Sequence, residues 1–400
     1  MKTIKKLTLS LSLCLFSPCS HYCSDLHQAV VVVPIADLAL QKIQKVYPEK
    51  KVADSYQSIC LEGQTFSAYS CPRAHQLLFN EQVTVVRQEG DELLVKVPNC
   101  FYMSKGKKRN QYWTHKANLK ILSGKLKTTK IPKPINFYTK NIKQSNQNII
   151  TLLLPFYDKK NKRTFSAGTR FVQADNKKQI SVWALNKKAS AFDLLKIPES
   201  ICLKNNTLLK KNRRKLFVNL LKKWVHQQPK KFIPYVWGGC SFTRPYEKTM
   251  IHAKKNKKNE KTFWQTKKLK IASGLDCSGA ILRGTQIFNI PYFCKNSISA
   301  KQHLEKLKNY KELKNGDLLY IQGHIMIVSD KKNNKLIEAR SHYSGYGKLQ
   351  EKKIGEIFKG IKSYQQLITL CNANKHLVRI DSSGKAENKR KNGTFLKLPA

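Results

Sequence analysis

Two side chains in this 400-residue chain stand where covalent chemistry is available to them. One is Cys277, in Gly274-Leu275-Asp276-Cys277-Ser278-Gly279; the other is His324, in Gly323-His324-Ile325-Met326-Ile327-Val328. A thiolate attacks carbonyl carbon, and an imidazole takes up and returns the proton that such acyl transfer moves. After Cys277, the residues Ala280, Ile281, Gly284 and Phe288 recur at helical spacing, which puts the thiol in a first helical turn. Unpaired N–H groups and the helix dipole there favour the thiolate. Asp276 opposes this, because an adjacent carboxylate raises a thiol pKa. It reads either as the helix cap or, with its charge directed elsewhere, as a contact for a cationic group of a substrate.

A third group is needed to orient the imidazole. His324, Met326 and Val328 share one face of a strand, and the turn at 330–335 leads into Leu336-Ile337-Glu338-Ala339, an antiparallel neighbour. Glu338 is thereby placed to accept from the far ring nitrogen, with His342 as its rival for the role. The mechanism needs no cofactor. The eight cysteines beyond residue 24 form no Cys-x-x-Cys pair and no His–Cys ligand spacing, so no metal site is expected. Disulfides involving Cys60 with Cys71 or Cys100 remain open.

The elements that position these groups follow from pattern. Leu216, Phe217, Leu220, Leu221, Trp224 and Val225 mark one face of a helix that stops before Pro229. Upstream, residues 82–87 and 93–97 are strands around the turn Glu89-Gly90-Asp91, the hairpin of a small β module at 30–124. A second β-rich stretch covers 145–200, and Lys- and Pro-containing residues 125–143 suit a linker between the two. The fold class is α+β. Residues 381–400 read as a basic, loosely ordered tail.

Composition sets the remaining bounds. Apolar residues make up 41% of the chain, which fits globular protein rather than a tail or coiled coil. Lys and Arg number 75 against 25 Asp and Glu, a net charge of +50. Such a field draws polyanions, although Lys and Asn spread throughout the chain fit a codon bias equally well. No nucleic-acid-binding motif is present. Residues 1–24 read as an export signal, with Lys2, Lys5 and Lys6 ahead of an apolar run from 7 to 16 that is too short to span a bilayer. Cys19 leaves a lipoprotein alternative. The expectation is therefore an exported protein of the periplasm, cell envelope or medium, acting as a monomer.

Four blocks in order, Tyr235-Val236-Trp237-Gly238-Gly239, Asp276-Cys277-Ser278-Gly279, Gly316-Asp317-Leu318-Leu319-Tyr320 and Gly323-His324-Ile325-Met326-Ile327-Val328, make residues 207–372 resemble an NlpC/P60 family domain, a papain-like cysteine peptidase of bacterial cell-wall metabolism. Residues 76–81 and 112–119 similarly resemble a bacterial SH3-like domain, and 145–200 is the place for a second. The resemblance implies Cys277 as nucleophile and His324 as base. It implies Asp276 and Ser278 near the substrate's free amine, and Tyr235 and Trp237 among the substrate-binding residues. It implies peptidoglycan stem peptides as substrate, cut beside the γ-linked D-glutamyl residue, with anionic wall polymers as further partners. In such relatives an aromatic residue of the first module closes the site, for which Tyr112 is the candidate here. Two features depart from the family pattern: Glu338 stands where His, Asn or Gln is usual, and 36 residues, many of them Lys, separate Gly239 from Asp276. The alternatives are an amidase of the related CHAP type and a catalytically inactive wall-binding protein.

Overall fold

Val83 and Val85, two residues apart on a strand, point to one face, which is apolar and must be covered. In the computed structural model they lie in the strand Gln82–Glu89, which pairs antiparallel with Glu92–Lys96, Val85 opposite Val95 and Glu89 opposite Glu92. Gly90 makes the turn with φ of 60°, a conformation costly for other residues. The structure describes residues 26–399 except 47, 52–70, 123–127, 140–141, 143–146, 175–179, 206–211, 227–230, 244–245, 248–249, 252–262, 265–272, 342–343 and 345. The leader at 1–24, Cys60, His342 and most of the Lys-rich insertion lie outside the described residues.

The architecture is mixed α and β, with antiparallel sheets and few helices. The first sheet has seven strands, in the order Arg73–Leu78, Ile35–Ala39, Gln111–His115, Glu92–Lys96, Gln82–Glu89, His27–Val31 and Leu119–Ile121. The second has five, in the order Phe192–Ile197, Ile180–Leu185, Arg170–Gln173, Ile149–Leu152 and Cys202–Lys204. Between them, the segment 125–143 is not a bare linker. Ile131, Ile135 and Phe137 are buried, and Tyr138 stacks on Phe101 and Phe293.

The third sheet has six strands, in the order Lys306–Leu307, Gly393–Leu396, Leu318–Ile321, His324–Asp330, Lys335–Arg340 and Lys348–Lys353. The helices Arg213–His226 and Cys277–Ile287 pack together on one face, where Gly284 lets Phe217 come close. Leu216, expected inward, is 37% exposed, and Val218 is buried in its place. The helix Tyr364–Asn372 covers the other face with Leu367, Ile368 and Cys371.

The C-terminal stretch is a correction. Residues 381–400 are not a loose tail: Ala386–Lys391 and Gly393–Leu396 are strands, and the latter lies between two others in the six-stranded sheet. Phe395, Leu396 and Leu398 are buried; each contributes on the order of 1.5–3 kcal/mol by leaving water, enough to hold a basic segment in place. The domain expected to end at 372 therefore runs to about 398.

The modules share one core. Ala29, Leu38 and Val95 of the first sheet belong to the same apolar cluster as Phe217, Leu221, Ile281, Ile325 and Ile327. Buried polar contacts join them further. Arg283 of the Cys277 helix donates to Glu81, to the Gln76 carbonyl and to the Cys240 carbonyl. Cys100 is a buried thiol without a disulfide, so the pairing of Cys60 with Cys100 is set aside.

Candidate active site

Asp276 caps the helix Cys277–Ile287, with one carboxylate oxygen accepting from the Gly279 N–H and from the Ser278 hydroxyl at 2.8 Å. Cys277 is thus the first helical residue. The helix start is clamped from below by the Tyr235–Gly239 block: Asp276 N–H donates to the Gly239 carbonyl, and a side chain at Gly279 would run into that same oxygen. This stacking of backbone on backbone explains glycine in both motifs.

The Cys277–Ile287 helix packs against the His324–Asp330 strand, and the Ile325 N–H near the start of that strand acts to lower the thiol pKa. His324 is buried, and its Nε2 lies 2.8 Å from Oε2 of Glu338, which is fully buried. The same Glu338 oxygen takes the guanidinium of Arg379, from the strand Leu377–Ile380. Its other oxygen accepts from Gln350 Nε2 at 3.1 Å and lies 3.8 Å from Arg340 Nη1. An alternating strand that puts an arginine on its inward face beside Leu377 is itself a signal of a buried anion.

These partners fix the protonation states. Burial opposes the Glu338 charge, but Arg379, the His324 hydrogen bond and Arg340 outweigh it and hold the carboxyl below the usual range. An ionised carboxylate only accepts, so Nε2 of His324 carries the proton and Nδ1 offers the lone pair. Burial, then Arg379, push the imidazole pKa down to about 4, against the pull of Glu338. Burial and then Asp276 push the Cys277 thiol up to about 12, with the Ile325 N–H, Lys295 and the Ser278 N–H opposing. Both shifts favour a neutral thiol and a neutral imidazole at rest. Burial thus opposes the thiolate that the helix position alone favours, because desolvation costs a charge.

Of the other expected site residues, Ser278 is engaged with Asp276, and Tyr235 is buried near Cys277 and Asp276, which with burial raise its pKa. Trp237 packs against Ile43 and Cys71, and its carbonyl accepts from Arg73 Nη1 at 3.2 Å. Tyr112 does not close the site. It is wholly buried in the first module, its hydroxyl donating to the Arg109 carbonyl. Tyr102 of that module senses the site: burial raises its pKa, Asp276 and Cys277 add to the rise, and Lys295 and Asn296 oppose it. Asp276 has its cation within the chain: Lys295 Nζ lies 2.9 Å from its second oxygen. Among the described residues no His, Cys, Asp and Glu cluster has metal-binding geometry.

Neither a protein-family model nor a curated protein matches the sequence. Among solved structures, an NlpC/P60 family protein from Bacillus cereus superposes with a TM-score of 0.51 at 15% identity, over 82% of this chain and 94% of that one. An NlpC/P60 endopeptidase from Photobacterium damselae subsp. piscicida gives 0.42 at 11% identity, over 93% and 74% of the two chains. NlpC1 from Trichomonas vaginalis gives 0.32 at 12% identity, over 86% and 93%. The chain has the fold of an NlpC/P60 family protein, in agreement with the resemblance carried by its four motifs.

Proposed function

We propose that this protein is an exported cysteine peptidase that hydrolyses peptidoglycan stem peptides, at the bond between the γ-linked D-glutamyl residue and the diamino acid. What supports the reading is a thiol, Cys277, at the start of a helix that packs against the His324–Asp330 strand, together with the buried hydrogen bond between His324 and Glu338. Sγ attacks the amide carbonyl carbon as its proton passes to Nδ1 of His324, and the oxyanion forms beside the Cys277 N–H at the helix start. The imidazolium then gives that proton to the leaving amine as the C–N bond breaks. Water, losing a proton to Nδ1, attacks the thioester and releases the acid and the thiol. Glu338 holds the ring in the productive tautomer throughout. Tyr102 and Tyr235 would flank the peptide. With a net charge of +50, the protein would also concentrate on anionic wall polymers.

Mass analysis of digested wall and of purified stem peptides tests this reading. Release of dipeptides by the intact chain and not by Cys277→Ala supports it. Whole stems freed from sugar would indicate an amidase instead, and unchanged turnover by Cys277→Ala would overturn it.

A further inference from the structure

Asp276 is the anion beside the nucleophile, and a substrate ammonium is its natural external partner. The chain leaves it little need of one. One oxygen is taken by the Ser278 hydroxyl and the Gly279 N–H, and the other by Lys295 Nζ at 2.9 Å. Lys295 is 1% exposed and fixed at both ends. Its N–H donates to the Phe101 carbonyl at 2.9 Å, in a short parallel bridge between Phe101 and Cys294, and the next residue, Asn296, donates to the Met103 carbonyl. The first β module therefore seats Lys295 on Asp276, and Tyr102 from the same segment lies alongside. Burial works against the ammonium, but Asp276, joined by Cys240 and Tyr102, outweighs it and the Lys295 pKa is raised, so the cation persists.

We propose that Lys295 takes the place of a substrate ammonium at Asp276, so that this site accepts peptides whose N-terminal nitrogen is uncharged, as in a stem peptide still amide-linked to its sugar. The inference rests on the peptidase reading above and names the substrate class within it. An incoming ammonium meets an ion pair already neutralised, in a protein of net charge +50. Desolvating that ammonium gains no compensating partner. An amide nitrogen carries no such cost.

The test compares two stem peptides that differ only in N-acetylation, cleaved by the full-length chain. The expected wild-type ratio of kcat/KM, acetylated over free amine, is one or above. Lys295→Met bares the Asp276 charge and should shift that ratio about tenfold or more toward the free amine, whereas Lys295→Arg should keep it. A wild-type ratio below one overturns the proposal, as does a folded Lys295→Met with an unchanged ratio. If Lys295→Met does not fold, the wild-type ratio and Lys295→Arg decide. Wild-type turnover of neither peptide overturns the peptidase reading itself, and the proposal with it.

Discussion

Glu338 Oε2 is shared by His324 Nε2, at 2.8 Å, and by the guanidinium of Arg379, which comes from a strand 41 residues later in the chain. A carboxylate between an imidazole and an arginine stays ionised without making the imidazole strongly basic, because the arginine offsets its field. Glu338 and Arg379 together thus orient the ring as a neutral amide would.

Glu338→Ala removes the acceptor for Nε2–H and leaves Arg379 buried without its anion. The kcat should fall by about 10²- to 10³-fold with KM little changed. Thermal unfolding should show a loss of about 3–5 kcal/mol, as for a broken buried ion pair. Steady-state kinetics beside calorimetry separate the two effects.

The acid limb of kcat/KM should report His324, which must be neutral to accept the thiol proton. With its pKa at about 4, activity should persist well below the usual histidine range and fall only as pH drops through that value. Arg379→Met removes a positive charge that depresses this pKa, so the limb should move to higher pH. A limb that stays fixed in a folded Arg379→Met would contradict the assigned coupling.

Alkylation by a small reagent distinguishes a neutral thiol from a preformed ion pair. With the thiol pushed up to about 12, the rate at Cys277 should climb with pH from 6 to 10 without a plateau. An ion pair would instead give a high and level rate across that range. Mass spectrometry of the modified peptide reads the outcome directly.

Gly279→Ala places a methyl group against the Gly239 carbonyl oxygen. Because both sides are backbone, the helix start must shift and carry Cys277 with it. Stability should fall by about 1–3 kcal/mol or more, and kcat by a larger factor than KM rises. Differential scanning fluorimetry with peptide turnover checks both.

Removing residues 377–400 takes out Arg379 together with the strand Gly393–Leu396, which lies inside the six-stranded sheet. The truncated chain should be insoluble or lack a cooperative unfolding transition. A soluble, cooperatively folding product would show that the sheet closes without that strand.

Much of the site's skeleton was legible in local pattern. Helical spacing after Cys277 placed the thiol in a first turn, and alternation along 324–328 and 336–339, joined by a short turn, set Glu338 within reach of His324. The Gln82–Lys96 hairpin followed from the same period of two. The polar C-terminal segment misled, because composition over twenty residues hid the apolar residues Phe395, Leu396 and Leu398 that anchor it. Tyr112 misled for a similar reason: an aromatic in a motif reads alike whether it faces a cleft or a core.

The sequence by itself determined where the proposed nucleophile and base stand and the register that brings His324 its carboxylate, all features fixed by helical and strand periods over a few residues. Only the tertiary structure decided the charges around them. Lys295 on Asp276 and Arg379 on Glu338 are pairings across 19 and 41 residues, made by a neighbouring module and a late strand that no local period encodes. Burial then works against the thiolate that the helix start favours. Desolvation depends on how much of the whole chain surrounds a group, which no short stretch of sequence records.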